Sequence, residues 1–311
     1  MPDIVIAFFA LGLLAGLLKS DLKVPPAVYE TLSILLMLTL GLKGGLALHD
    51  SASGAALLDL LWIVSLGLLI PLLVYPLLHR LVGLSMPDSV SIAAHYGSVS
   101  AGTFAVALAM VEASGMKLAA ETTLYLVMLE VPALVLMLWW YQRQKNSGIG
   151  QLQVWYEAFT SRSVLLLIGG VIIGWVYGPD GLASITPALL GGFKTFLALF
   201  LLEMGICTAR VCIPLPIKQW RLLLFAALVP FALAWLGLGM GIWLELPSGS
   251  ILVLAALTAS ASYIAAPAAI RAAVPEANIG LAMLASLGVT FPVNVLIGLP
   301  LYQQLVMWLT Q

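Results

Sequence analysis

Two short segments hold most of this chain's polar chemistry. The first is His95-Tyr96-Gly97-Ser98-Val99-Ser100-Ala101-Gly102-Thr103. The second is Thr258-Ala259-Ser260-Ala261-Ser262-Tyr263-Ile264-Ala265-Ala266-Pro267. Each gathers small and hydroxyl residues around a helix breaker, Gly102 or Pro267. A break frees backbone N–H groups at the start of the next half-helix, beside its positive dipole end. Ser and Thr hydroxyls add donors and acceptors. Two such breaks meeting in the interior make a compact site for a small oxyanion without a buried Lys or Arg. The same small residues also suit close helix packing.

Ionisable residues inside apolar runs come next. Glu130 lies in Leu129-Glu130-Val131-Pro132. A carboxylate there reads as a cation or proton site, or as a structural hydrogen-bonding group near a proline kink. Lys43, in Gly41-Leu42-Lys43-Gly44-Gly45, is expected to pair with Glu30, Asp50 or Glu130, or to snorkel outward. Glu203, near the end of its run, is expected to snorkel. His95 reads as a proton relay or a satisfied core histidine, and Asp88 as an N-cap. Cys207, Cys212 and three His give no disulfide framework and no zinc pattern. With no HExxH, no close His pair and no paired Asp in the runs, the chain is not expected to be an enzyme.

The elements that must position these groups are membrane helices. Of 311 residues, 62% are hydrophobic and 9% charged, and mean hydropathy is +1.10. A soluble domain is nearer about 25% charged, so a soluble enzyme or a nucleic-acid binder is excluded. Ten apolar runs stand out, at about 4–18, 28–48, 57–78, 89–111, 119–140, 163–178, 183–206, 222–244, 250–270 and 279–308. The strand alternation of a barrel is absent. Met1-Pro2-Asp3 has no basic region, so the first run reads as a span and not as a signal peptide. Residues 142–162 form a polar linker between a first repeat, 1–141, and a second, 163–311.

Alternating the ten runs puts Lys19, Lys23, Arg80, Arg143, Lys145, Arg162, Arg210, Lys218, Arg221 and Arg271 on one side. Only Lys43, Lys117 and Lys194 fall on the other. The bias predicts a cytoplasmic linker and both termini outside. Five spans per half means two halves of opposite orientation, the inverted-repeat plan. Gly16 pairs with Gly174, Pro26 with Pro187, Gly41 with Gly205, Ser98 with Ser260, Ser100 with Ser262 and Pro132 with Pro292.

Ser98-Val99-Ser100-Ala101-Gly102-Thr103, Glu112 and Glu130-Val131-Pro132-Ala133-Leu134 resemble the first half of the sodium-dependent bicarbonate transporters of cyanobacteria and their bacterial relatives. Ser260 to Pro267, Arg271-Ala272 and Pro275-Glu276-Ala277-Asn278 resemble the second. The resemblance implies an all-α carrier of ten transmembrane helices in a five-plus-five inverted repeat, with broken crossing helices four and nine. It implies a homotrimer in the bacterial inner membrane. Bicarbonate would be held by Ser98, Ser100, Ala101, Gly102, Thr103, Ser260, Ser262 and Tyr263. Sodium, the coupling ion, would sit with Glu130, Thr103 and Ser262. The resemblance also implies a regulatory protein of the PII type as a partner at the cytoplasmic linker, which here is short. The chain departs from the pattern in having Tyr263 where an Asp sodium ligand is expected, and Ala265 where a Ser is.

The function expected is secondary active import of bicarbonate by alternating access, coupled to sodium. The alternative is a proton-coupled or uncoupled carrier of another small carboxylate or inorganic anion on the same fold, with Glu130 and His95 as proton groups.

Overall fold

The computed structural model describes residues 4–51, 54–145, 160, 162–213 and 216–310. Among them there are helices and turns and no strand. Most of the predicted linker 142–162 lies outside the described residues.

The first half runs α1 (Ile4–Leu17), α2 (Pro26–Ser51), α3 (Gly54–Pro76), α4 (Met86–Gly97), α5 (Ala101–Ser114) and α6 (Tyr125–Lys145). The second runs α7 (Arg162–Leu182), α8 (Phe193–Cys212), α9 (Trp220–Trp243), α10 (Ser248–Thr258), α11 (Ala265–Ala273) and α12 (Ile279–Leu309). The last contains two π-helical stretches, Leu284–Thr290 and Asn294–Gly298. Eight stretches are long and apolar enough to cross a bilayer; α1 and α10 are apolar but shorter. Exposed Trp62, Trp175, Trp220, Trp243 and Trp308 suit the aromatic belts at membrane surfaces.

Four helices form a panel. α1 packs along α8, and α2 along α7. These contacts are made by small residues spaced four apart. Gly41 and Gly45 of α2 meet Gly170 and Gly174 of α7 so closely that a Cβ on any of them would strike opposing backbone. Gly12 of α1 and Gly205 of α8 approach opposing backbone in the same manner, and a Cβ on Gly16 would strike the Ala209 methyl. Apolar side chains gain little by leaving lipid for protein, so close backbone approach and dispersion supply the association.

The other helices form a core of buried α4, α5 and α10 surrounded by α3, α6, α9 and α12. At one end Asp88 Oδ1 accepts the Asn278 N–H at 2.8 Å, and Glu276 pairs with Lys145 and Tyr141. At the other end the Gly249 N–H reaches Lys117 O at 2.9 Å and the Ala119 N–H reaches Ser250 Oγ at 2.8 Å. The first end carries the larger group of cations.

Four local expectations are corrected. The N-cap of α4 is Ser85, whose Oγ accepts the Asp88 N–H at 3.2 Å, because Pro87 needs no hydrogen-bond partner in that turn. Asp88 is left to cap the start of α12. Lys43 pairs with Glu112 at 2.8 Å. Glu203 does not snorkel: α8 continues to Cys212, so this side chain stays buried on the helix wall. Gly102 and Pro267 are not themselves the break points. Each sits in the first turn of the following half-helix, where proline's missing N–H costs nothing.

Candidate functional site

The first break is Ser98–Ser100, between α4 and α5. Val99 takes φ +49° there, a conformation that costs a β-branched residue on the order of 1–3 kcal/mol. Ser100 caps α5, its Oγ accepting the Thr103 N–H at 3.1 Å. The second break spans residues 259–264, between α10 and α11. Ser262 Oγ accepts the Ala266 N–H at 3.2 Å, closing the first turn of α11. Both half-helices therefore begin in the buried middle of the core, each with a serine over its first N–H groups.

The breaks are tied to one another. The Ser100 N–H donates to Ser260 Oγ at 2.7 Å, and Ser260 Oγ donates to Leu257 O at 2.7 Å. The Ser262 N–H donates to the carbonyl of His95 at 2.6 Å. Asn294 Nδ2 caps the end of α10 through Ala259 O at 2.6 Å, and Tyr302 donates to Asn294 Oδ1 at 3.0 Å. Ser98 Oγ, Thr103 Oγ1 and His95 Nε2 are buried without a hydrogen-bond partner among the described residues. Buried polar atoms usually have partners, so these orphans mark the crossing as a polar centre that the protein alone does not complete.

A cavity of about 10 Å³ lies at the crossing, near the one-water limit of about 10–15 Å³. Ser100, Ala101, Ser262 and Tyr263 of the expected anion set line it, as does Glu130 of the expected cation set. Ser98 and Ser260 lie in the breaks, and Gly102 and Thr103 in the first turn of α5, but all four are outside its lining; Ser260 is engaged in joining the breaks. Tyr263 lies so near the first turn of α5 that a Cβ on Gly102 would run into its hydroxyl. Its ring meets Phe291 edge-on at 5.2 Å.

Tyr263 and Ile264 also line a second, larger cavity of about 720 Å³ at the more basic end. Glu203, Cys207 and Arg210 form one wall, at i, i+4 and i+7 of α8. Pro267 and Arg271 of α11 face them, with Lys23 in the loop before α2 and Tyr29 in its first turn. Cys207 Sγ lies 3.2 Å from Glu203 Oε1, and Arg210 stands 3.8 Å from the same oxygen. Three cations against one carboxylate give this vestibule a field that draws anions.

Sequence reasoning missed Met37 and Ile264 in the cavity walls and Asn294 as a cap. A lone Asn in an apolar run was a readable signal for the last. The periodic spacing of Glu203, Cys207 and Arg210 was one for the vestibule wall. Nothing local marks Met37, which enters from α2 through packing alone.

Helices too apolar for water, two of them broken at a shared buried polar centre, define a polytopic membrane protein. The sequence profile of the Na+-dependent bicarbonate transporter superfamily matches residues 4–307, and the chain belongs to that superfamily. Membership makes it a transport protein. No curated protein matches the chain.

Proposed function

We propose that the protein imports bicarbonate by alternating access in the bacterial inner membrane, with sodium as the coupling ion. The observation that carries this reading is the crossing, where α5 and α11 present their N-termini and capping serines to one buried point. Discontinuous helices of secondary transporters meet anionic substrates in this manner. Ser98, Ser100, Ala101, Gly102, Thr103, Ser260, Ser262 and Tyr263 make up the anion site. Glu130, Thr103 and Ser262 make up the cation site.

Ten crossings follow if α1 and the α10–α11 pair are counted with the eight long stretches. The reciprocal packing of α1 with α8 and α2 with α7 is what an inverted repeat requires, because a two-fold axis in the membrane exchanges the pairs. The positive-inside rule makes the basic end cytoplasmic. The vestibule then opens inward. A homotrimer and a PII-type partner at the cytoplasmic linker belong to the same reading.

A monovalent anion entering against an inside-negative potential costs about 2.3 kcal/mol per 100 mV. One sodium cancels that cost and two drive accumulation. Tyr263 keeps a second reading open. A neutral phenol is a poor ligand for a hard cation, which favours proton-coupled or uncoupled carriage of another small carboxylate or inorganic anion. Proteoliposomes loaded with and without a sodium gradient decide between them. Sodium-stimulated uptake of labelled bicarbonate is expected; folded protein without it removes the coupled reading.

A further inference from the structure

Away from the crossing and the vestibule, a groove of about 350 Å³ runs between the end of α3 and the first turns of α9. Leu77 and Leu81 form one wall, and Leu224, Phe225 and Leu228 the other; Arg221 is the one charged residue of the lining. The wall that continues α3 is a π-helical stretch, Leu77–Val82, closed by Gly83 at φ +83°. A π-turn is wider than an α-turn and is often found at functional sites.

The Arg221 guanidinium sits at the groove's basic end. It lies beside Gly83, where a Cβ would stand 3.8 Å from its Nη1, and 5.5 Å from the Trp220 ring centre. None of the ion pairs among the described residues uses it. Trp220 is exposed, as an aromatic anchor at the membrane surface would be. An apolar slot that ends at an interfacial Trp and at a cation lying over that Trp ring, outside every ion pair among the described residues, has the two-part chemistry of a phospholipid.

We propose that this groove binds an anionic phospholipid, one acyl chain lying between Leu77–Leu81 and Leu224–Leu228 and the phosphate on Arg221. The volume of about 350 Å³ is about a dozen times the ~30 Å³ of one water, and a methylene is of similar size, so the headgroup-side stretch of one acyl chain fits while its end stays in the bilayer. Basic pockets between membrane helices hold anionic headgroups in just this setting. The lipid would touch the transport machinery indirectly. Phe225 meets Tyr96 edge-on at 5.5 Å, and Tyr96 OH bonds Thr290 Oγ1 at 2.6 Å, two residues before the first break.

The test uses purified, delipidated full-length protein and its thermal melting with added phosphatidylglycerol, phosphatidylcholine or inorganic phosphate. Phosphatidylglycerol is expected to raise the midpoint by several degrees, and the other two to leave it nearly unchanged. Arg221→Gln should abolish the preference for the anionic lipid. Leu224→Trp, which fills the slot, should abolish the shift altogether. Native mass spectrometry of the wild type gives a readout independent of the variants' folding: retained phosphatidylglycerol should exceed phosphatidylcholine several-fold. Equal retention of the two lipids, or an unchanged preference in Arg221→Gln, overturns the proposal. A shift of the same size with phosphate alone also overturns it, leaving a bare anion site.

Discussion

The Ser100 N–H donates to Ser260 Oγ across 2.7 Å, and so one half of the chain caps the broken helix of the other. This bond lets the N–H of Ser100, the N-cap of α5, be satisfied without a backbone carbonyl. Ser260→Ala removes the acceptor and leaves a buried donor unpaired, at a cost of roughly 1–3 kcal/mol. Ser262→Ala removes only the acceptor for the Ala266 N–H in the first turn of α11, a cap loss of roughly 0.5–2 kcal/mol. Both variants should lose most uptake. In thermal melting Ser260→Ala should fall further than Ser262→Ala. Normal uptake by both would place the anion site elsewhere.

Gly102 and Tyr263 are a matched pair across the crossing. A methyl on Gly102 meets the phenol hydroxyl and, at 3.5 Å, the Phe200 ring. Overpacking of this kind costs roughly 1–3 kcal/mol. Gly102→Ala should therefore lower the melting midpoint and abolish transport. Adding Tyr263→Leu should restore part of the stability, since the clash is with the phenol and not with backbone. A double-mutant cycle showing independent effects would refute the contact.

How much of this was legible in the residues follows from where the information lay. The paired Ser-x-Ser clusters declared both breaks, because hydroxyls and helix breakers in an apolar run have few other uses. The break points were read two or more residues late. Gly102 and Pro267 carry the strongest breaker signal, yet both suit a first helical turn, while the turn itself falls on Val99, a residue with no propensity for it. The partner of Lys43 was invisible for a different reason. Glu112 is sixty-nine residues away, and only the packing of α2 near α5 brings the two together. The vestibule wall was written plainly as Glu203, Cys207 and Arg210 on one helical face, but it was hidden by ending the helix early.

The glycine contacts of the panel give a sharper stability test than any polar residue. Gly170→Val or Gly174→Val drives a branched side chain into the backbone of α2 and should destabilise the fold by at least about 1–3 kcal/mol. Gly169 and Gly239 face open space, with nothing within 4 Å of an added Cβ. Valine there should melt within a degree or two of wild type. The comparison is internal, since Gly169 and Gly170 are neighbours in one helix. Valine is a better helix former than glycine, so a loss at Gly170 but not at Gly169 can come only from close approach, and equal losses at both would refute it.

Lys43 joins the panel to the core at the end away from the vestibule. Its Nζ lies 2.8 Å from Glu112 Oε1 on α5 and 4.3 Å from the centre of the Phe193 ring on α8. The pair is partly exposed, at 20% and 37%, so its worth is roughly 0.2–1 kcal/mol. That is a small share of a fold but up to about a five-fold bias on a two-state equilibrium. Breaking it should favour states open at the Lys43 end and depopulate the one with an open vestibule. Cys207 reports on the latter because its thiol lies on the vestibule wall. In a Cys212→Ala background, Lys43→Met should slow labelling of Cys207 by an impermeant thiol reagent about two- to five-fold. The charge swap Lys43→Glu with Glu112→Lys should return the rate toward its starting value. An unchanged rate in Lys43→Met would show that the pair fastens the two bodies equally in every state and does not select between them.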